Sequence, residues 1–96
     1  MIKHLKITIY GWVQGIGFRW SSYEKFVDLG LTGKAENGED GTVEITVQGE
    51  DFALQKLIEW CHKGPMGAKV TRVEVSEILN QHGNFESQNP QSQSDS

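Results

Sequence analysis

Cysteine is almost missing from these 96 residues: Cys61 stands alone. With no partner for an internal disulfide, the fold does not depend on an oxidising compartment. Long apolar runs are missing as well. None reaches membrane-spanning length, and the opening Met1-Ile2-Lys3-His4 has no apolar signal core, so a cytoplasmic protein with no membrane partner is expected. Positive charge is not in excess. The net charge of −4 excludes a general attraction to nucleic acid, so any anion site must be local and built from a few groups. The three histidines, His4, His62 and His82, lack paired metal-ligand spacing, so no metal is expected. No Ser-His-Asp or Cys-His arrangement can be assembled, and no internal repeat is present.

Hydrophobic residues make up 36%, low for a globular chain. Part of the deficit lies at the end, where no apolar residue follows Glu86. The sequence therefore reads as one domain over residues 1–86 and a disordered polar tail over 87–96.

Within the domain the periodicity is clear. From about Ile2 to Tyr10 the chain alternates, with Leu5, Ile7 and Ile9 on one face and Lys6, Thr8 and Tyr10 on the other, which predicts a strand. A glycine-rich loop follows. A helix then starts near Phe18 to Ser22, with Tyr23, Phe26, Val27 and Gly30 expected on one face and Gly30 as its C-terminal cap. Leu31 to Glu36 reads as a short strand, and Asn37-Gly38-Glu39-Asp40-Gly41 as a hairpin loop. Val43, Ile45 and Val47 point inward along the next strand, and Thr42, Glu44, Thr46 and Gln48 outward. A second helix opens at Glu50 or Asp51. Its expected apolar stripe is Phe52, Ala53, Leu54, Leu57, Ile58, Trp60 and Cys61, and Gly64-Pro65 stops it. A last long strand runs from about Lys69 to Ile78. Val70 is out of phase with Val73 and Val75, so a bulge or change of face is predicted near Thr71 and Arg72. Phe85 is a candidate for one further short C-terminal pairing.

The order strand-helix-strand-strand-helix-strand, with right-handed crossovers, leads to an α+β ferredoxin-like (βαββαβ) sandwich. One four-stranded antiparallel sheet carries two helices on one face. The polar alternates in the strands leave the other face at least partly wet. A monomer is expected, because no exposed apolar helix face is obvious.

The chemistry concentrates at Gly11-Trp12-Val13-Gln14-Gly15-Ile16-Gly17-Phe18-Arg19-Trp20. A strand, a tight glycine loop and a helix start bring backbone N–H groups to the positive end of a helix dipole, which suits an anion. Arg19 adds a planar fork that grips a phosphate with two parallel bonds. A cation at a helix start opposes the dipole, and an anion between the two would relieve that conflict. The plain alternative is a turn whose glycines only accommodate positive φ. The nucleotide motifs do not fit: no Gly-x-x-x-x-Gly-Lys-Ser/Thr is present, and the dinucleotide fingerprint fails because position 20 is Trp. No cofactor is therefore expected. Asn37 suits a hairpin turn equally well, and its amide could also orient a water. Trp12 and Trp20 flank the loop, either bordering a ligand or simply packing.

Two separated stretches resemble the signatures of the acylphosphatase family. The first is Gly11-x-Val13-Gln14-Gly15-Ile16-Gly17-Phe18-Arg19. The second is Gly33-x-Ala35-x-Asn37, then Gly41-x-Val43 and Gly49, with Gly64-Pro65 and Ala68-Lys69-Val70 beyond. The resemblance covers about residues 3 to 78. Ile16, Lys34 and Glu36 depart from the residue types usual there, and Glu36 puts a negative charge one residue before Asn37. The resemblance implies metal-free hydrolysis of acyl phosphates to a carboxylate and inorganic phosphate. It implies a phosphate held by Gln14, Gly15, Ile16, Gly17, Phe18 and Arg19, with Arg19 and Asn37 catalytic and Asn37 orienting the water. The competing reading is a non-catalytic or weakly active anion-binding module. RNA binding on such a sheet would need exposed aromatics and positive charge, and the strand with Thr42, Glu44, Thr46 and Gln48 offers neither.

Overall fold

A computed structural model describes residues 1–79. Six elements follow in order: β1 (Ile2–Trp12), α1 (Phe18–Leu29), β2 (Thr32–Asn37), β3 (Val43–Glu50), α2 (Asp51–Lys63) and β4 (Lys69–Glu77). The strands form one sheet in the order β2-β3-β1-β4, and every neighbouring pair is antiparallel. This is the ferredoxin-like sandwich. The pairing expected around Phe85 and the tail from Ser87 lie outside the described residues.

The sheet's alternation decides what is buried. Ile7, Ile9, Val43, Ile45 and Val47 are fully buried, and Leu5 and Ala35 nearly so. The two helices cover this face with Phe18, Phe26, Leu54, Leu57 and Cys61, all in the same cluster. Burying each such side chain stabilises the fold by about 1.5–3 kcal/mol. The thiol of Cys61 is pushed up to about 12 by burial alone, so it packs as a small hydrophobe.

Three expectations need correction. In α1 the buried line is Phe18, Ser22 and Phe26, while Val27 is exposed and Tyr23 lies at the margin. A helix laid on a sheet buries an i, i+4 row, and Ser22 is admitted to it because its hydroxyl donates to the Phe18 carbonyl at 2.8 Å. In α2, Phe52 is exposed, and its ring is covered by the Lys56 ammonium 5.0 Å from the centroid. Thr42, expected to point outward, is buried because it belongs to the hairpin turn and not to β3.

β1 also extends two residues further than its alternation indicates. Gly11 and Trp12 pair with Val70 and Lys69, and the register slips between Tyr10 and Gly11, leaving Thr71 as the extra residue on β4. The bulge expected near Thr71 and Arg72 is therefore present. It restores the phase, so that Val70 and Val73 both pack against the core. Gly11 faces the bulge with φ +127°, and a Cβ there would collide with the Lys69 carbonyl and approach the Thr71 nitrogen to 2.9 Å.

Gly11→Ala should cost about 2 kcal/mol or more in urea unfolding, since both the backbone angle and the space are wrong for a side chain. Gly30→Ala, with φ +69° but nothing within 4 Å, should cost distinctly less. In the folded protein Cys61 should resist thiol reagents at pH 8 and react on unfolding. Its raised value also sets a sign: its contribution to stability is present below pH 9 and is lost as pH rises toward 12. Cys61→Val should flatten that part of a stability–pH curve.

Candidate functional site

The loop from Val13 to Gly17 leaves β1 at the end of the sheet and turns directly into α1. Gly15 and Gly17 hold φ of +78° and +82°, a backbone that L side chains rarely adopt. Gly17 is the N-cap of α1, and no side chain caps the helix. The first bond of the helix is Ser21 N–H to the Gly17 carbonyl at 2.9 Å. The amides of Phe18, Arg19 and Trp20 thus lie at a helix start with no capping side chain, at the positive end of the dipole.

A hollow of about 190 Å³ opens at this point, lined by Val13, Gly15, Gly17, Phe18, Arg19, Trp20 and Asn37. Arg19 and Asn37, on different elements, therefore border one cavity. Arg19 is exposed and pairs with no carboxylate among the described residues. Among the described residues its guanidinium donates to no side chain or carbonyl, which leaves its donors to a ligand. Phe18 is buried beneath the loop and packs on Trp60, with ring centroids 5.3 Å apart, so the start of α1 rests on the end of α2.

Asn37 ends β2, and strand alternation puts it on the same side as buried Ala35. Glu36 points to the other side of the sheet. There its carboxylate lies 3.7 Å from the Lys34 ammonium. The two departures in the second motif thus face each other, away from the hollow. Both are exposed, so the pair contributes little to stability.

Gln14 and Ile16, also expected at the phosphate, border a second hollow instead, of about 260 Å³, with Gly11, Trp12, Val13, Gly41 and Gly67. The Gln14 side chain is already engaged. Its amide nitrogen donates to the Gly38 carbonyl and to the Thr42 carbonyl, each at 2.8 Å. It ties the glycine loop to the hairpin that follows Asn37. The hairpin is itself braced, since the Thr42 hydroxyl and N–H both donate to Asp40 Oδ1, at 2.6 and 3.3 Å. Those two bonds, the hydroxyl first, hold the Asp40 carboxyl below its usual range. The sequence gives no sign of this clasp, because nothing in the spacing brings residue 14 against residues 38 and 42.

The clasp generates an expectation. Gln14→Leu keeps the size and removes both donors, leaving two carbonyls without that partner, and should cost about 1–2 kcal/mol. Amide hydrogen exchange should quicken at residues 38–42 more than in α2. Equal protection in the variant would show that the clasp does not hold the hairpin.

Comparison with known proteins bears on this arrangement. The family model described as Acylphosphatase matches residues 5–87, most of the chain. An acylphosphatase of Thermococcus kodakarensis is 50% identical over 69 residues, spanning 72% of this chain and 76% of that one. Among solved structures, an acylphosphatase from Coxiella burnetii superposes with a TM-score of 0.79 at 34% identity, covering 88% of this chain and 87% of the other. One from Bacillus subtilis gives 0.78 at 35%, covering 86% and 91%. The family model covers most of the chain and these relatives and structures match it over most of their own length, so this chain belongs to the acylphosphatase family.

Proposed function

We propose that the protein is an acylphosphatase that hydrolyses the carboxyl–phosphate bond of small acyl phosphates. The observation that carries the reading is that an unpaired arginine, an asparagine and an uncapped helix start border one small hollow. The phosphoryl group takes the amides of the Gly15–Arg19 segment and the Arg19 guanidinium. Gln14 serves by holding the loop against the hairpin that carries Asn37. The Asn37 amide accepts from one water and aims its oxygen at phosphorus.

The reaction needs few groups. An acyl phosphate is a mixed anhydride whose leaving group, a carboxylate, is weakly basic and departs without a general acid. The water oxygen bonds to phosphorus, the bond from phosphorus to the acyl oxygen breaks, and its electron pair leaves with the carboxylate. The water proton passes to a phosphate oxygen, which makes inorganic phosphate the second product. Asn37 is neutral at ordinary pH and acts by orientation, not as a base. The rest is charge stabilisation in a fixed frame.

We propose further that the protein works as a monomer in the cytoplasm without a nucleic-acid or membrane partner. Among the described residues no helix is long and apolar enough to cross a membrane. The free thiol of Cys61 suits a reducing compartment. The outer face of the sheet mixes Lys6, Thr8, Glu44, Thr46 and Glu74, a composition that does not favour stacked bases.

The decisive assay follows loss of benzoyl phosphate absorbance, with and without a chelator. Wild-type turnover should be unaffected by chelation. Arg19→Ala should lower kcat/KM by about 10²–10³-fold, the loss of roughly 3–4 kcal/mol that removing such a donor brings. Arg19→Lys should also be poor, since a point charge cannot replace the fork. Asn37→Ala should lose kcat while still binding inorganic phosphate. Phosphate binding with no turnover above the spontaneous rate would leave an anion-binding module and end the enzymatic reading.

A further inference from the structure

The same hollow has an apolar wall that the phosphate chemistry does not use. Trp20 follows Arg19 in the first turn of α1 and lines the cavity. It is 72% exposed. The aromatic pairs of the described residues are Phe18 with Trp60 and Tyr23 with Phe26, and no cation lies over the Trp20 ring. The other apolar side chains of the hollow, Val13 and Phe18, are each only 1% exposed. Gly15 and Gly17 present backbone, and Arg19 and Asn37 are polar. Trp20 is therefore the one large apolar side chain that the cavity offers to a ligand.

Size then places the ligand. At about 190 Å³ the hollow is smaller than the roughly 300–1,000 Å³ of sites that enclose a whole small molecule. It accommodates a phosphoryl group and leaves the acyl end at the rim. With the phosphoryl group at the amides and Arg19, the acyl end lies at a rim that Trp20 helps to line.

Resting on the acylphosphatase reading, we infer that Trp20 is a specificity-determining residue that favours acyl phosphates with a flat aromatic or bulky apolar acyl group over acetyl-sized ones. An indole face against such a group buries apolar area on both sides and adds the usual aromatic offset contact. A methyl group reaches too little of the ring to gain by it. Because the contact lies away from phosphorus, it acts equally on the bound substrate and on the transition state and is read in KM.

The test compares kcat/KM for benzoyl phosphate and acetyl phosphate in wild type, Trp20→Ala, Trp20→Phe and Trp12→Ala. Trp12 is the control, a comparably exposed tryptophan that lines the neighbouring hollow. Trp20→Ala should lose about fivefold on benzoyl phosphate through KM, and less than about twofold on acetyl phosphate. Competitive inhibition by inorganic phosphate should be unchanged, and Trp20→Phe should keep most of the preference. Trp12→Ala should leave the ratio alone. An equal loss on both substrates, no loss on either, or a ratio that moves with Trp12 instead would overturn the assignment while the hydrolase reading stands. A wild type that turns over neither substrate removes both.

Discussion

β1 is paired on both sides, and the placement of the site depends on that. β3 holds one edge through eight residue pairs from Ile2 to Ile9, and β4 holds the other from Leu5 to Trp12. Its inward side chains Leu5, Ile7 and Ile9 lie at the centre of the core. A strand fixed in this way cannot slide, because a one-residue slip would turn its apolar row to solvent. The loop that leaves its end therefore starts from a fixed point. The bulge at Thr71 extends the hold by two residues past the regular alternation, up to the threshold of the loop itself.

From that fixed point the loop is shaped by what it lacks. Two glycines at positive φ carry it into a helix that no side chain caps. A Ser, Thr, Asp or Asn at that position would accept from the first amides and make the start more stable than glycine does, by roughly a few tenths of a kcal/mol. Leaving that interaction unmade, and placing a cation beside the dipole's positive end, costs stability. The cost fits the anionic substrate proposed above, and the pairing of β1 and the burial of Phe18 offset it elsewhere. Under the proposed function, stability and binding are set by different residues: the core by the sheet's inner face, the anion site by backbone and one arginine.

The second half of the site is tied to the first by a side chain as well as by the sheet. Asn37 ends an edge strand, two strands away from β1. The Gln14 amide spans the gap by donating to carbonyls on the hairpin. Glu36, whose negative charge precedes Asn37, pairs with Lys34 on the far side of the sheet. Strand alternation alone puts them there, on the side of the sheet opposite Asn37.

Much of this was legible from residue order. Period-two alternation marked β1 and β3 because one face of each is wholly buried, and the phase break at Val70 marked the bulge. The spacing Gly15-x-Gly17-Phe18-Arg19 marked a strand–loop–helix junction, where glycines take positive φ and amides gather at the helix start. Helix faces were less legible. Tyr23, Val27 and Phe52 are apolar, yet which i, i+4 row meets the sheet is decided by how each helix lies on it, and Ser22 enters the core through a local hydrogen bond that no hydropathy pattern reveals. The sequence by itself therefore determined the strands, the order of elements and the glycine loop, since these rest on local periodicity and backbone permissiveness. Only the tertiary structure decided that Gln14 clasps the hairpin, that Glu36 faces away, and that Arg19, Asn37 and Trp20 border one hollow. Those are contacts between segments far apart in the chain, fixed by sheet register and packing.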